Sequence, residues 1–194
     1  MFTPSVIAAS ALDRDQTMAT LVTAFTADPL IRWLFPDAHR FLKYFPQFNN
    51  YFAGSAFDHN SAYRTDDFGA TALWLPPGAG PDEEALGAVI AEGVDGRRQE
   101  EVFAVFEQVK ASHPGVAHCY LSVIGVDPLQ QGKGYGSALL AHGLAVCDRS
   151  HIAAYLEATK PENIPFYKRF GFEVVQTIQV GSSPPITPMF RTAR

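Results

Sequence analysis

Apolar positions along the chain repeat with two periods. From Asp13 to Ala27, Met18, Leu21, Val22 and Phe25 recur at helical spacing. Asp28-Pro29 should end or bend that helix, because a residue before proline disfavours the helical region. Residues 29–57 are crowded with aromatic side chains and read as one or two helices interrupted near Pro36 and Pro46. A short strand fits residues 3–9. Residues 61–65 and 70–75 fit two strands joined by a turn at Asp66, Asp67 and Gly69. Residues 76–81 form a loop, and residues 82–112 read as helix broken around Gly93 to Gly96. The run AHCYLSVIGV at 117–126 is strongly strand-like, and residues 132–149 begin glycine-rich and continue as an amphipathic helix. A strand at 152–158, a short helix at 162–170, a strand at 172–180 and a last strand at 186–191 complete the pattern.

A length of 194 residues suits one domain, and a hydrophobic fraction of 47% provides for a sizeable core. The net charge of −5 and the absence of any Lys/Arg block argue against broad nucleic-acid binding. One anionic ligand remains compatible, since a helix N-terminus holds phosphate without a basic protein around it. Cys119 and Cys147 form no CxxC pair and read as buried free thiols, which fits a reducing compartment. No apolar run reaches the roughly 20 residues that span a bilayer, and the first residues lack the charged start and apolar stretch of a signal peptide. A cytoplasmic location with no membrane partner is therefore expected.

The most informative stretch is VDPLQQGKGYGSALL, Val126 to Leu140. Gly132, Gly134 and Gly136 stand at the mouth of a predicted helix, where free backbone N–H groups and the helix dipole favour a pyrophosphate. A P-loop is excluded, because Gly125 is too far from Gly132 and Lys133 is followed by glycine. A dinucleotide fingerprint fits less well. A five-residue loop separates strand from glycines, and too little chain follows Glu157, the acidic residue at the right distance, to complete that fold.

The segment Gln131-Gly132-Lys133-Gly134-Tyr135-Gly136, after a strand ending V-x-P and before a helix, resembles the acetyl-CoA motif of the GNAT superfamily of N-acetyltransferases. YLEATKPENIPFYKRFGFEVV, Tyr155 to Val175, is similar to the second half of that family's core, in the family's order and spacing. Together the two blocks cover about residues 117–176. YLSVIGVDP and ALWLPPG are similar to the puromycin N-acetyltransferase-like branch.

The resemblance implies an α+β, three-layer αβα fold with a mixed, mostly antiparallel sheet that splays between a parallel strand pair. Acceptor-side helices and a hairpin would occupy about 1–115 and the acetyl-CoA core about 116–194. It implies acetyl-CoA as co-substrate, with no metal. Ile124, Gly125 and Val126 would pair with the pantetheine amides. Gln131, Gly132, Lys133, Gly134, Tyr135, Gly136 and Ser137 would hold the pyrophosphate. Asn163 would contact the cofactor arm, or else cap its helix. Tyr167 matches the tyrosine near the sulfur, where it would serve the departing thiolate. A glycine inside a strand, Gly125, calls for a bulge or a close ligand.

For the base that deprotonates the acceptor, the candidates are His118, Tyr120 and Ser122 on one strand, Asp66 and Asp67 in the hairpin turn, and Glu157. Glu157 leads, because a carboxylate on a central strand needs a reason to be there. The expected partner is a small-molecule amine. Trp33, Phe35, Tyr44 and Phe45 suggest an apolar or aromatic one, although a helical core explains most of those rings equally. The chain is expected to work as a monomer or homodimer. The alternative reading is a non-catalytic acyl-CoA-binding module of the same fold.

Overall fold

The computed structural model describes residues 4–194, so Thr3, the first residue of the expected opening strand, lies outside the described residues. That strand, β1, spans Val6–Ala8. A 3₁₀ turn at Ala11–Asp13 leads into α1, Arg14–Ala24. Asp28 then starts a new helix: its carboxylate accepts from the N–H groups of Leu30 and Ile31, and Pro29 supplies the first position of α2, Pro29–Leu34. The same device opens α3, Ala38–Ala53, where Asp37 accepts from Arg40 N–H, and α4, Glu83–Gly93, where Asp82 accepts from Ala85 N–H.

Pro36 does interrupt the aromatic segment, but Pro46 does not, because α3 runs straight through it. The carbonyl that loses its donor is that of Leu42, an exposed residue on the solvent side. Phe41, Tyr44, Phe45 and Phe48 bury the other face of the same helix and offset the cost.

The hairpin is β2, Ala62–Thr65, with β3, Ala70–Leu75. After α4 and α5 (Gln99–Ala111) come β4 (His118–Val126), α6 (Tyr135–Arg149) and β5 (Ala153–Ala158). A short helix α7, Ile164–Arg169, precedes β6, Glu173–Val174, and β7, Thr187–Arg191. The strand expected over 172–180 is therefore only two residues long. Beyond it the chain leaves the sheet edge, Ile178 bridges to Ile186, and both pack on Val105 of α5. Local hydrophobicity cannot distinguish a strand that joins the sheet from an extended segment that seals a helix.

All seven strands form one sheet in the order β1-β2-β3-β4-β5-β7-β6. Every pairing is antiparallel except β4 with β5. Helix α6, through Leu139, Leu140 and Leu144, covers one face together with Tyr167 of α7 and Phe172 just beyond it. Helices α1 and α3 cover the other through Met18, Leu21 and Ala53. A third, largely aromatic cluster joins α2, α3, α4 and α5 outside them. Both cysteines are buried and free. Among the described residues no helix is long and apolar enough to cross a membrane.

Candidate active site

The parallel pair β4/β5 is joined only over its first three residues, His118 with Ala153 to Tyr120 with Tyr155. β4 continues to Val126 and β5 to Ala158 without pairing, so the β5-facing backbone groups of the last residues of β4 lack a strand partner. A cavity of about 670 Å³ opens along this gap, and Ile124, Gly125 and Val126 line it.

Two local features mark this end of β4. Opposite β3 the register jumps from Leu73/Val123 to Trp74/Leu121, which leaves Ser122 as a bulged extra residue whose hydroxyl donates to Leu73 O at 3.0 Å. Of the two accounts given for Gly125, a bulge or a close ligand, the bulge falls three residues earlier. Gly125 itself answers to α1: a Cβ there would stand 2.9 Å from both Ala24 Cβ and Leu21 Cδ2. Its missing side chain lets α1 close on that face of the strand.

The glycine loop follows. Gly132 and Gly134 take left-handed φ values of +75° and +89°, and Gly134 caps α6 from that conformation. Ala138 N–H is the first in the helix to find a carbonyl, Gly134 O at 2.9 Å. The N–H groups of Tyr135, Gly136 and Ser137 find none among the described residues and stand at the cavity with the positive end of the α6 dipole. Gln131, Gly132, Gly134, Gly136 and Ser137 line the same cavity.

Lys133 does not line it. Its ammonium is held by Leu129 O at 2.7 Å and Gln130 Oε1 at 3.0 Å, within the loop. The Tyr135 side chain also turns away, donating to Asp67 Oδ2 at 2.6 Å, so only its backbone faces the loop site. That contact holds the Asp67 carboxyl below the usual carboxylate range, and Asp67 in turn ties Thr65 and Gly69 N–H of the β2–β3 turn. Asp67 is a turn lock, and it does not line the cavity with Glu157.

Asn163 stands at the first position before α7, yet its side chain makes no capping hydrogen bond and lines the cavity. Tyr167 is buried on the α6 face of the sheet and reaches the cavity from there. Burial, and then the charge of Asp28, push its phenol above the usual range. Tyr167 therefore keeps its proton and can donate a hydrogen bond to a thiolate. Complete transfer to a thiolate, whose conjugate acid titrates near 8.5, would run uphill.

Glu157 comes from the opposite face, because it alternates along β5 with Leu156 and Ala158, which pack under α6. Its side chain is only 8% exposed. Oε2 accepts from Tyr120 Oη at 2.6 Å. Burial and the Glu157 charge hold the Tyr120 phenol well above its usual range, so the tyrosine is the donor. Oε1 is buried with no hydrogen bond of ordinary geometry, and His113 Nε2 stands 3.4 Å away.

The site contains residues that sequence reasoning did not single out. His113 lies in the turn between α5 and β4, where nothing in the local pattern marks it. Asp28 is nearly fully buried; its Oδ2 accepts from Thr159 Oγ1 at 2.7 Å and ties the start of α2 to the end of β5. Of the four rings named as candidate acceptor contacts, only Phe45 lines the cavity. Phe25, Phe48, Phe52 and Phe106 do so instead, while Phe35 and Tyr44 belong to the helical core.

These features fit an acyl-coenzyme A thioester: a slot between diverging strands for an extended amide chain, free N–H groups for a pyrophosphate, and a neutral phenol for a sulfur. Comparison with known proteins returns acetyltransferases. An uncharacterised N-acetyltransferase of Schizosaccharomyces pombe is 27% identical over 184 residues, covering 87% of this chain and 74% of that protein. Among solved structures, a Corynebacterium glutamicum protein described as histone acetyltransferase HPA2 and related acetyltransferase superposes with a TM-score of 0.72 at 22% identity, over 100% of this chain and 98% of that one. Arylalkylamine N-acetyltransferase 2 from Aedes aegypti does so with a TM-score of 0.70 at 15% identity, over 98% and 99%. The model of the acetyltransferase (GNAT) family matches residues 43–172, which takes in the divergent strands, the glycine loop, Glu157 and Tyr167, and the chain belongs to that family.

Proposed function

We propose that the protein transfers an acetyl group from acetyl-CoA to the amine of a small molecule, by direct attack within a ternary complex. The observation that carries this reading is the convergence of Glu157 and Tyr167, from opposite faces of the sheet, on the cavity that the β4/β5 gap and the glycine loop also line. Bound there, acetyl-CoA supplies the acetyl group as a reactive thioester.

The backbone of Ile124, Gly125 and Val126 would hold the pantetheine chain in place of a missing strand. The N–H groups of Tyr135, Gly136 and Ser137 would take the pyrophosphate, with Gln131, Gly132, Gly134 and Asn163 shaping the walls. Glu157 takes the proton of the acceptor ammonium, and Tyr167 donates a hydrogen bond to the departing thiolate. Phe25, Phe45, Phe48, Phe52 and Phe106 give the cavity an aromatic wall, which suits an amine with an apolar or aromatic body. The Aedes aegypti protein is named for arylalkylamine acceptors, in keeping with this choice.

In this reading the enzyme works in the cytoplasm, as a monomer or homodimer, without nucleic acid or membrane. The similarity of YLSVIGVDP and ALWLPPG to the puromycin N-acetyltransferase-like branch supports a place in that branch.

Thermal shift with acetyl-CoA, coenzyme A and NADH side by side tests the cofactor. At 100 times its dissociation constant a ligand adds about 2.7 kcal/mol, a shift of several degrees. Stabilisation by the coenzyme A compounds, followed by release of free thiol with a panel of arylalkyl amines, supports the proposal. Stabilisation by NADH alone refutes it.

A further inference from the structure

The transfer R–NH3⁺ + acetyl-S-CoA → R–NH–CO–CH3 + CoA-SH + H⁺ releases one proton, and Glu157, where this reading sends it, is buried beneath an aromatic wall. We propose that His113 discharges Glu157 to solvent, and that His118 holds His113 in the one tautomer able to do so. The inference rests on the acetyl-transfer reading.

The hydrogen-bond chain fixes each proton in turn. His118 Nδ1 lies 2.8 Å from Val116 O, a carbonyl that can only accept, so the proton of neutral His118 sits on Nδ1 and its Nε2 is bare. His113 Nδ1 lies 3.2 Å from that Nε2 and must be the donor. The remaining nitrogen of neutral His113, Nε2, is then a bare acceptor aimed at Glu157 Oε1 at 3.4 Å.

An acceptor facing a carboxylate makes no hydrogen bond, and Oε1 has none. The contact becomes favourable once one proton is shared across it, as an O–H on Oε1 facing the Nε2 lone pair or, after transfer, as Nε2–H facing the carboxylate. The other oxygen accepts from Tyr120 Oη, which holds the carboxylate with Oε1 toward His113.

The steps balance. The ammonium N–H breaks and a carboxyl O–H forms on Glu157, whose proton passes to the Oε1 side that faces His113. Next, Oε1–H breaks and Nε2–H forms, giving the His113 imidazolium. That ring, with a side chain 29% exposed, returns one proton to bulk water and is neutral again.

The groups facing His113 are Glu157 from β5, His118 and the Tyr120 ring from β4, and the Tyr155 ring from β5, whose hydroxyl lies 2.7 Å from Ser112 Oγ. Burial and the Glu157 charge push both phenols up, so neither competes for the proton. His113 acts through Glu157, and His118 through His113; neither touches the substrate.

The test uses H113Q and H118Q on the full chain, with an amine that the wild type acetylates. For H113Q, kcat/KM for the amine at neutral pH should fall about ten-fold or more, with the acetyl-CoA dissociation constant unchanged. The deficit should close as pH rises and the amine deprotonates unaided, and imidazole buffer should restore part of the rate. H118Q should give a smaller loss of the same pH form. Wild-type rates in H113Q, or a loss that neither pH nor buffer alters, overturn the proposal.

A readout free of turnover separates its failure from that of the acetyl-transfer reading. In ¹⁵N-histidine NMR of the resting protein, neutral His113 and His118 should both carry the proton on Nδ1. A proton found on Nε2 of neutral His113 overturns the relay even if the enzyme is active. The expected tautomers in a protein that acetylates no amine instead put the acetyl-transfer reading at fault.

Discussion

The same substitution, glycine to alanine inside a helix, should have opposite signs at two positions of this protein. Gly87 sits within α4 with nothing within 4 Å of the place a Cβ would occupy. Gly143 sits within α6 directly over Trp74 of β3: a Cβ there would lie 2.3 Å from Nε1, 2.4 Å from Cε2 and 2.7 Å from Cζ2 of the indole. Helix propensity alone favours alanine by about 0.8–1.0 kcal/mol at each site. At Gly87 that gain stands alone.

At Gly143 the added methyl meets a rigid ring held between Leu139, Leu140 and Leu144 of the same cluster, with Trp74 only 3% exposed. Overpacking of this kind costs roughly 1–3 kcal/mol. The overlap is with ring atoms and not with a flexible chain end, so the upper part of that range applies. Subtracting about 1 kcal/mol of propensity leaves a net loss of about 2 kcal/mol.

For a chain of this size 1 kcal/mol moves the melting temperature by about 2–4 °C. G87A should therefore melt about 2–4 °C above the wild type and G143A about 4–8 °C below it. Differential scanning calorimetry reads both, and the near-ultraviolet circular dichroism of the indole should change only in G143A. A G143A protein that melts at or above the wild type, with unchanged indole signal, would refute the packing of α6 on β3 described above.

Three further outcomes are expected. Y167F should lower kcat about 10–100-fold, the worth of a charge-assisted hydrogen bond, while acetyl-CoA still protects the fold in thermal shift; equal turnover would remove Tyr167 from the chemistry. D28A should cost about 2 kcal/mol in urea unfolding, because the α2 cap and the Thr159 contact are lost together, and T159V should reproduce only the smaller part of that loss. Y135F removes the largest influence that lowers the Asp67 carboxyl. A lowered carboxyl stabilises the fold above its unfolded pKa and loses that contribution as pH falls through the folded value, so the gap between wild type and Y135F should be open at pH 7 and narrow below about pH 4. A gap independent of pH in urea titrations would contradict that linkage.

Much of the architecture was legible because the signals are local. Strand alternation, Asp-Pro at a helix start, and glycines before an amphipathic run depend on residues close in the chain, and β2, β3, β4, α6, β5 and β7 emerged within a residue or two of their expected limits, apart from the later start of α6. Pro46 and residues 175–180 were misread for the complementary reason. A proline is tolerated when the rest of its helix is anchored by a buried aromatic face, and an extended segment becomes a strand only if an edge is offered to it.

For the site, the glycine loop, Asn163, Tyr167 and Glu157 could be named from motif and resemblance. Their surroundings could not. Lys133 and the Tyr135 side chain turn away from the cavity because partners in their own loop and in the hairpin hold them. The aromatic wall comes from Phe25, α3 and α5, which only packing brings together. His113 meets Glu157 across 44 positions of chain, with β4 between them. By itself, then, the sequence determined the order of the elements and the glycine loop at the mouth of α6, since both arise from short-range backbone preferences. The tertiary structure alone decided what faces Glu157, where the strands part and which rings line the cavity, because those contacts join residues far apart in the chain that become neighbours only when the apolar faces of the sheet are buried.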